Sequence, residues 1–384
     1  IWPEFTSLMN HLAGNGSVVS AVTVKYDLEK PTSTVLTPSA QYVNAITSVG
    51  GWASDERYAA RVYEAGLGTY TVKVAIRLMG GNWWSGTAFD QPEPSWFEAH
   101  TDTAPYSLGN PNVSWTYALP AALQTAIATN KRQDYRFVSY AYDRALNKEF
   151  GPAAGEPLSA DIPAEAGKLV QFDNEAPIAV TTAPANLDYK SSVPVLYGVV
   201  TDTGVIAGVH VLLKARGSFN ATWNWAAGAW DDSSSSHLNW STATYANGAW
   251  SLILPSLTTV DSHKISVWTR AWDQAGNWSP TPSKAQIDAN LNADASAAYY
   301  FTYDATLPVL DFTVPAGNAI VVSTGLIAGT AYDAGIEPAG VSEVRLRLKR
   351  SDGSYWSFIN NNWAAAAGDT FGVSGLTDWS KVIN

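Results

Sequence analysis

Asp173-Asn174-Glu175-Ala176-Pro177 opens a frame that runs on through Pro184 to Gly198 and Asp202, and the chain carries this frame three times. The other copies are Asp27, Pro31, Pro38, Gly51, Asp55 and Asp304, Pro308, Pro315, Gly329, Asp333. In each copy the first Pro follows the Asp by four residues, the second lies seven further on, and Gly-x-x-x-Asp closes the unit. The Asp-to-Asp spacings are 146 residues, from 27 to 173, and 131, from 173 to 304. A period this long, carrying Pro-bounded strand patterns, means tandem domains of one kind. The expected units are 27–172, 173–303 and an incomplete 304–384. Residues 1–26 are expected to supply the terminal strand of a preceding domain or a donor segment.

Working outward, each unit repeats the same parts. Val72–Leu78, Val209–Leu213 and Val344–Leu348 alternate as half-buried strands. The alternation in the last points Arg345, Arg347 and Lys349 to water and Leu346 and Leu348 to a core. An aromatic segment follows each strand. Trp115–Pro120 and Trp250–Pro255 match in spacing, and Trp379 begins the same pattern again. Arg136–Ala141 and Lys264–Ala271 are further strands, Ala122–Thr129 is a short helical region, and His11–Gly16 is a loop. Short strands at regular spacing, with Gly and Pro punctuation, predict an all-β chain of serial antiparallel sandwiches of the immunoglobulin kind.

Composition agrees. The 384 residues include 17 Trp, 18 Tyr, 11 Phe, 29 Gly and 20 Pro, which suits sheets and turns rather than helical bundles. The formal charge of −11, without basic clusters, argues against nucleic acid or anionic lipid as partner and is compatible with cations. Cysteine is absent, which excludes a disulfide framework, a thiolate metal site and a Cys nucleophile. No apolar run approaches the roughly 18 residues that span a bilayer. The chain opens on Ile1-Trp2-Pro3 rather than Met, and a segment of a longer protein is expected.

Three motifs together carry a resemblance. Asp173-Asn-Glu-Ala-Pro177, Gly198-Val-Val-Thr-Asp202-Thr-Gly and Ala271-Trp-Asp273-Gln-Ala-Gly-Asn277 resemble bacterial immunoglobulin-like (Big-type) tandem repeats of large secreted adhesins and cell-surface proteins. In the first unit the last motif reads Ala141-Tyr-Asp143-Arg-Ala145-Leu-Asn147, keeping the frame without the Gly. The resemblance implies an extracellular structural or adhesive role at the cell surface rather than catalysis, with adjacent repeats or neighbouring copies as partners. It brings no required cofactor.

Acidic residues form the first candidate site. Strands of a sandwich alternate in direction, so the linker Asp and the residues closing the second and penultimate strands meet at one end. These are Asp27, Asp55 and Asp143 in the first unit, Asp173, Asp202 and Asp273 in the second, and Asp304 and Asp333 in the third. Carboxylates gathered at a junction make the hard oxygen cage that Ca²⁺ takes; the alternative is that each Asp caps a turn through backbone N–H groups. Aromatic residues form the second candidate. Trp84, Trp96, Trp225, Trp230, Trp356 and Trp363, with Trp83 and Trp223, either stack on the sugars of a glycan or cover a long hairpin as a satellite core. A carbohydrate-binding array is the alternative function.

Enzyme signatures such as Gly-x-Ser-x-Gly, His-Glu-x-x-His and the P-loop are missing, and the five His are scattered. The third unit lacks its last two strands, while 17–26 reads as an orphan last strand. This predicts either an excerpt of a repeat protein or a donor segment that completes the next copy head to tail in a filament, by β-augmentation.

Overall fold

The computed structural model describes residues 5–9, 20–24, 27–55, 71–101, 112–288, 299–321, 325–360, 362–364 and 370–383. The loop expected over His11–Gly16 lies outside them. The chain divides into two compact units. One comprises 1–177 with 202–207 and 272–278; the other comprises 178–201, 208–271 and 279–384.

In the first unit, strands β1 (Phe5–Met9) and β2 (Ser20–Val24) pair antiparallel, so the strand expected near 17–26 has β1 as its partner. The sandwich follows with β3 (Thr32–Thr37), β4 (Tyr42–Val43), β5 (Ser48–Ser54), β6 (Val72–Leu78), β7 (Trp83–Trp84), β8 (Phe89–Gln91), β9 (Phe97–Thr101) and β10 (Asn112–Ala118). Helix α1 (Ala121–Thr129), β11 (Arg132–Ala141) and β12 (Lys168–Asp173) complete it. The order β3-β5-β10-β9-β6-β11-β12-β4 is continuous because β9 changes layers. Its first residues, Phe97–Ala99, pair with β6, and His100 and Thr101 pair with β10.

Between the layers lie Val35, Val49 and Trp115 from one side and Val72, Val74, Ile76, Tyr135 and Phe137 from the other. Leu123 and Ile127, one turn apart on α1, pack into the same core. The β6 strand is not half-buried as its alternation predicts. Ala75 on its outer face joins Trp83, Val138, Tyr140 and Phe150 in a second cluster. Phe150 arrives on the segment after β11 and covers that face, which an alternating pattern alone assigns to water.

The second unit repeats the arrangement. Its strands are β13 (Ile178–Ala183), β14 (Tyr189–Lys190), β15 (Val195–Thr201), β16 (Ile206–Ala215), β17 (Ala221–Asn224), β18 (Ala229–Asp231), β19 (Ser241–Thr242), β20 (Thr244–Ala246), β21 (Ala249–Ile253), β22 (His263–Asp273) and β23 (Tyr299–Tyr303), with helix α2 (Lys284–Asp288). One sheet runs β13-β15-β21-β20 and the other β14-β23-β22-β16-β17-β18. The β15 strand does alternate, burying Leu196, Gly198 and Val200 and exposing Tyr197 and Val199. Strands β24 (Val309–Val314), β25 (Leu326–Tyr332), β26 (Arg345–Leu346), β27 (Tyr355–Ser357), β28 (Asn362–Ala364), β29 (Phe371–Gly372) and β30 (Asp378–Val382) continue the chain. Here the order is β24-β25-β30 beside the pairs β26-β29 and β27-β28. Val344, Leu346 and Trp379 share a core, and Arg345, Arg347 and Lys349 face water as their alternation predicts.

One contact recurs in all three copies of the frame. The Gly of Gly-x-x-x-Asp lies opposite the Trp of the neighbouring strand: Gly51 and Trp115, Gly198 and Trp250, Gly329 and Trp379. Each Trp is at most 2% exposed. A Cβ on Gly198 would stand 2.2 Å from the Trp250 indole, and one on Gly329 would stand 2.3 Å from Trp379. The glycine therefore makes room for the indole that fills the core. The strand before it bulges at Val35/Thr37, Thr181/Ala183 and Phe312/Val314, just ahead of Pro38, Pro184 and Pro315. The repeated frame thus encodes one bulged, Trp-filled sheet three times, and the fold is an all-β series of immunoglobulin-like sandwiches.

Candidate functional site

The expected acidic residues do converge. Carboxylate oxygens of Asp27, Asp55 and Asp143 lie within 4.8 Å of one another, and so do those of Asp173, Asp202 and Asp273. Both triads belong to the first unit. Each is assembled by the same local chemistry. The linker Asp folds into an Asx turn: Oδ1 of Asp27 accepts from the Glu29 N–H at 2.9 Å, and Oδ1 of Asp173 from Glu175 at 3.0 Å. At the Ala-x-Asp-x-x-x-Asn turn, Asp143 accepts from the Asn147 backbone at 2.8 Å and from its Nδ2 at 2.7 Å. The matching bonds from Asn277 to Asp273 are 2.8 and 2.7 Å. Each Asn then donates to the carbonyl of the linker Asp, Asn147 to Asp27 at 3.1 Å and Asn277 to Asp173 at 2.7 Å. This Asn is the positioning residue of the triad. The motif spacing pointed to it, although reading the carboxylates alone missed it.

Glycine helps as well. A Cβ on Gly204 would fall 2.0 Å from Oδ2 of Asp173, so the loop after Asp202 closes over the triad only without a side chain. Burial raises the pKa of Asp143 above the ordinary carboxylate range, against the Asn147 bonds, and the charge of Asp27 adds to the rise. Burial also raises Asp173 and Asp202; the charges of Asp202 and Asp273 add to the rise at Asp173, and that of Asp273 to the rise at Asp202. Oδ2 of Asp202 is buried without a protein partner. Three hard oxygen donors with a surplus of negative charge fit a cation such as Ca²⁺. The same carboxylates also accept backbone N–H groups, so turn capping and cation binding draw on one arrangement.

Asp304 and Asp333 differ. Asp304 accepts from Thr306 at 3.1 Å and Ala339 at 2.6 Å, and Asp333 from Gly340 at 2.8 Å. Among the described residues no third acid joins them to form a triad.

The aromatic candidates divide by environment. Trp84, expected as a sugar-stacking ring, is fully buried in the first core against Phe89, and no face of it is open to a sugar. Trp96 is half-buried; its Nε1–H donates to the Pro157 carbonyl at 2.8 Å and its ring packs edge-on against Tyr140. Trp223 and Trp230 pair across β17 and β18 with ring centres 5.4 Å apart. Trp225 meets Trp223 edge-on, and all three are half-buried. Trp356 and Trp363 repeat the cross-strand pair at 5.5 Å, with the Arg350 guanidinium 4.9 Å from the Trp363 ring centre. Cross-strand aromatic pairs stabilise short hairpins in either setting.

Among the described residues no helix is long and apolar enough to cross a membrane. No family model and no curated protein matches the chain. Solved structures similar to it include repeat and fibronectin-like modules. The tetra-tandem repeat in the extending region of a large adhesion protein matches at 16% identity and TM-score 0.26, over 92% of this chain and 65% of its own. The fibronectin(III)-like modules of Clostridium thermocellum CbhA match at 14% identity and TM-score 0.26, over 71% of this chain and 94% of theirs. The BSP domain of a biofilm associated protein matches at 10% identity and TM-score 0.25, over 94% of this chain and 62% of its own. The chain therefore spans 65% of the length of the first of these structures.

Proposed function

We propose that the chain is a non-enzymatic structural and adhesive module of the Big-type repeat kind, working outside the cell at its surface, with Ca²⁺ held by its acidic triads. The observation that supports this reading is recurrence: Asp27/Asp55/Asp143 and Asp173/Asp202/Asp273 are built by the same Asx turn and the same Asn bridge. A cation among three carboxylates neutralises their repulsion and ties the linker Asp to two strand ends of the following repeat. A stalk made of such repeats is stiffer with the cation than without it. The partners in this reading are adjacent repeats and a cell-surface ligand.

Head-to-tail assembly of copies is the finer form of the reading. The β24 strand lies at the edge of its sheet among the described residues and exposes Val309, Leu310, Phe312 and Val314, the kind of edge to which another strand adds.

The test is a melting series on chelated protein with added Ca²⁺. Binding at a hundredfold excess over Kd stabilises by about 2.7 kcal/mol per site, visible as a shift of several degrees. Asp202→Asn and Asp55→Asn should each remove part of the shift. A melting temperature indifferent to Ca²⁺ would leave the triads as turn caps.

A second reading, glycan binding, is favoured by the half-buried Trp223, Trp225 and Trp230 of the β17–β18 hairpin. It requires that a neutral oligosaccharide protect these indoles from an aqueous quencher.

A further inference from the structure

A cleft of about 540 Å³ opens in the second unit between the turn after β16, the start of β22 and the segment after β25. Its size is that of a small-molecule site. Arg216, Ser218, His263, Lys264, Ile336 and Glu337 line it. The walls are tied through backbone. The Arg216 N–H donates to the Lys264 carbonyl at 2.9 Å, and the Glu337 N–H donates to the Ser262 carbonyl at 3.0 Å. These bonds hold the side chains on fixed supports.

The charge of the lining runs against that of the molecule. The Arg216 guanidinium lies 5.0 Å and the Lys264 ammonium 5.8 Å from the centre of the same Tyr300 ring. Two cations thus gather on one wall, and one carboxylate lines the cleft with them: Glu337, 3.3 Å from Lys264. The whole chain carries a formal charge of −11. A local surplus of positive charge in an acidic protein selects an anion.

Two further polar side chains, His263 and Ser218, line the cleft. His263 is 7% exposed, and its Nδ1 lies 2.7 Å from the Asp261 carbonyl. A carbonyl only accepts, so in the neutral ring Nδ1 carries the proton and Nε2 is an acceptor. Nε2 and the Ser218 hydroxyl stand 3.5 Å apart. Phe219, next to Ser218, packs edge-on against both His263 and Trp230, so the cleft leads onto the aromatic hairpin.

We propose that this cleft binds a carboxylated sugar residue of an acidic glycan, with the carboxylate on Arg216 and Lys264, ring hydroxyls on His263 and Ser218, and a C–H face against Ile336. The proposal deepens the glycan reading of the hairpin and rests on it. Glu337 accepts a further hydroxyl and, as a like charge, sets an upper limit on affinity.

Titration calorimetry on the 384-residue chain, with methyl glucuronide, methyl glucoside and acetate as probes, tests it. The uronide should bind at least about tenfold more tightly than either control, because only it supplies both the charge-assisted bonds and the hydroxyls. Lys264→Gln should weaken the uronide about tenfold, and Glu337→Gln should strengthen it a few-fold by removing a like charge. Ser218→Ala, on an exposed turn that tolerates truncation, should cost several-fold. Acetate binding as tightly as the uronide would overturn the sugar assignment. An uronide affinity that ignores both Lys264→Gln and Glu337→Gln would overturn the cleft as its site. If the uronide does not bind while a neutral oligosaccharide still protects the hairpin from quencher, this proposal fails and the glycan reading stands. If neither binds, both fall.

Discussion

Trp84 and Phe89 face each other across one hairpin, Trp223 and Trp230 across another, and the ring separations are nearly equal, 5.2 and 5.4 Å. The surroundings are not. In the first unit Trp84 turns into the sandwich core. Trp83 turns outward beneath the segment after β11, where its Nε1–H donates to Ser159 at 3.1 Å. In the second unit the pair is half-buried, edged by Phe219 and by Thr259, which accepts from the Trp230 indole at 3.1 Å. Cross-strand pairing sets the hairpin in both places. What becomes of the outer faces depends on a distant segment: in the first unit the stretch after β11, which carries Phe150 and Ser159, covers Trp83.

The largest expected effect separates the two hairpins by truncation. Trp84→Ala should cost about 3–5 kcal/mol, the price of a large core cavity. Trp230→Ala removes a half-exposed ring and one hydrogen bond and should cost about 1 kcal/mol. Denaturant unfolding of both variants measures the difference directly. Equal costs would mean that the second hairpin is as integral to its sandwich as the first. Next in size comes the Asn bridge. Asn147→Ala and Asn277→Ala each strip a buried carboxylate of its side-chain donor and should each cost about 1–3 kcal/mol. The two should agree closely, because this is the feature the two copies share. A large gap between them would show that the triads are not equivalent.

How much of this could be read beforehand follows from the range of each interaction. The frame of Asp, Pro, Gly and Asp marks one bulged sheet in triplicate, and alternating strand direction is enough to bring Asp27, Asp55 and Asp143 to one end. Both are consequences of order along the chain. The pairing of Gly198 with Trp250 was half visible: both residues recur at fixed places, but their meeting needs the register of two strands 52 residues apart. The burial of Trp84, the layer change within β9 and the Arg216–Glu337 cleft were not legible. Each depends on segments far apart in sequence that carry no periodic signal. The same limit explains β6, whose outer face reads as wet from its local alternation although Phe150, 75 residues beyond Ala75, covers it.

The smallest expected effect compares the turns that close the two triads. After Asp143 and Asp273 the chains run in parallel: the N–H of Glu149 or Ser279 donates to the carbonyl of Ala141 or Ala271. The side chain then returns the bond. Oε2 of Glu149 accepts from the Ala141 N–H at 3.1 Å, and Oγ of Ser279 accepts from the Ala271 N–H at 2.5 Å. Only the first acceptor can titrate. Burial raises the Glu149 pKa above the ordinary glutamate range, against bonds that include Ser33 Oγ–H at 2.7 Å. A raised folded-state value means that the folded chain holds the proton more tightly than the unfolded chain. The stabilisation is therefore complete below the ordinary range and is lost as pH rises through the raised value, with a slope of at most about 1.4 kcal/mol per pH unit. Glu149→Gln keeps an acceptor oxygen and cannot titrate, so its stability relative to the parent chain should rise with pH across that window. Ser279→Ala should shift stability by an amount that does not change with pH. If the Glu149→Gln difference is flat from acid to neutral pH, the carboxyl is solvated, and the two turns differ in composition without differing in electrostatics.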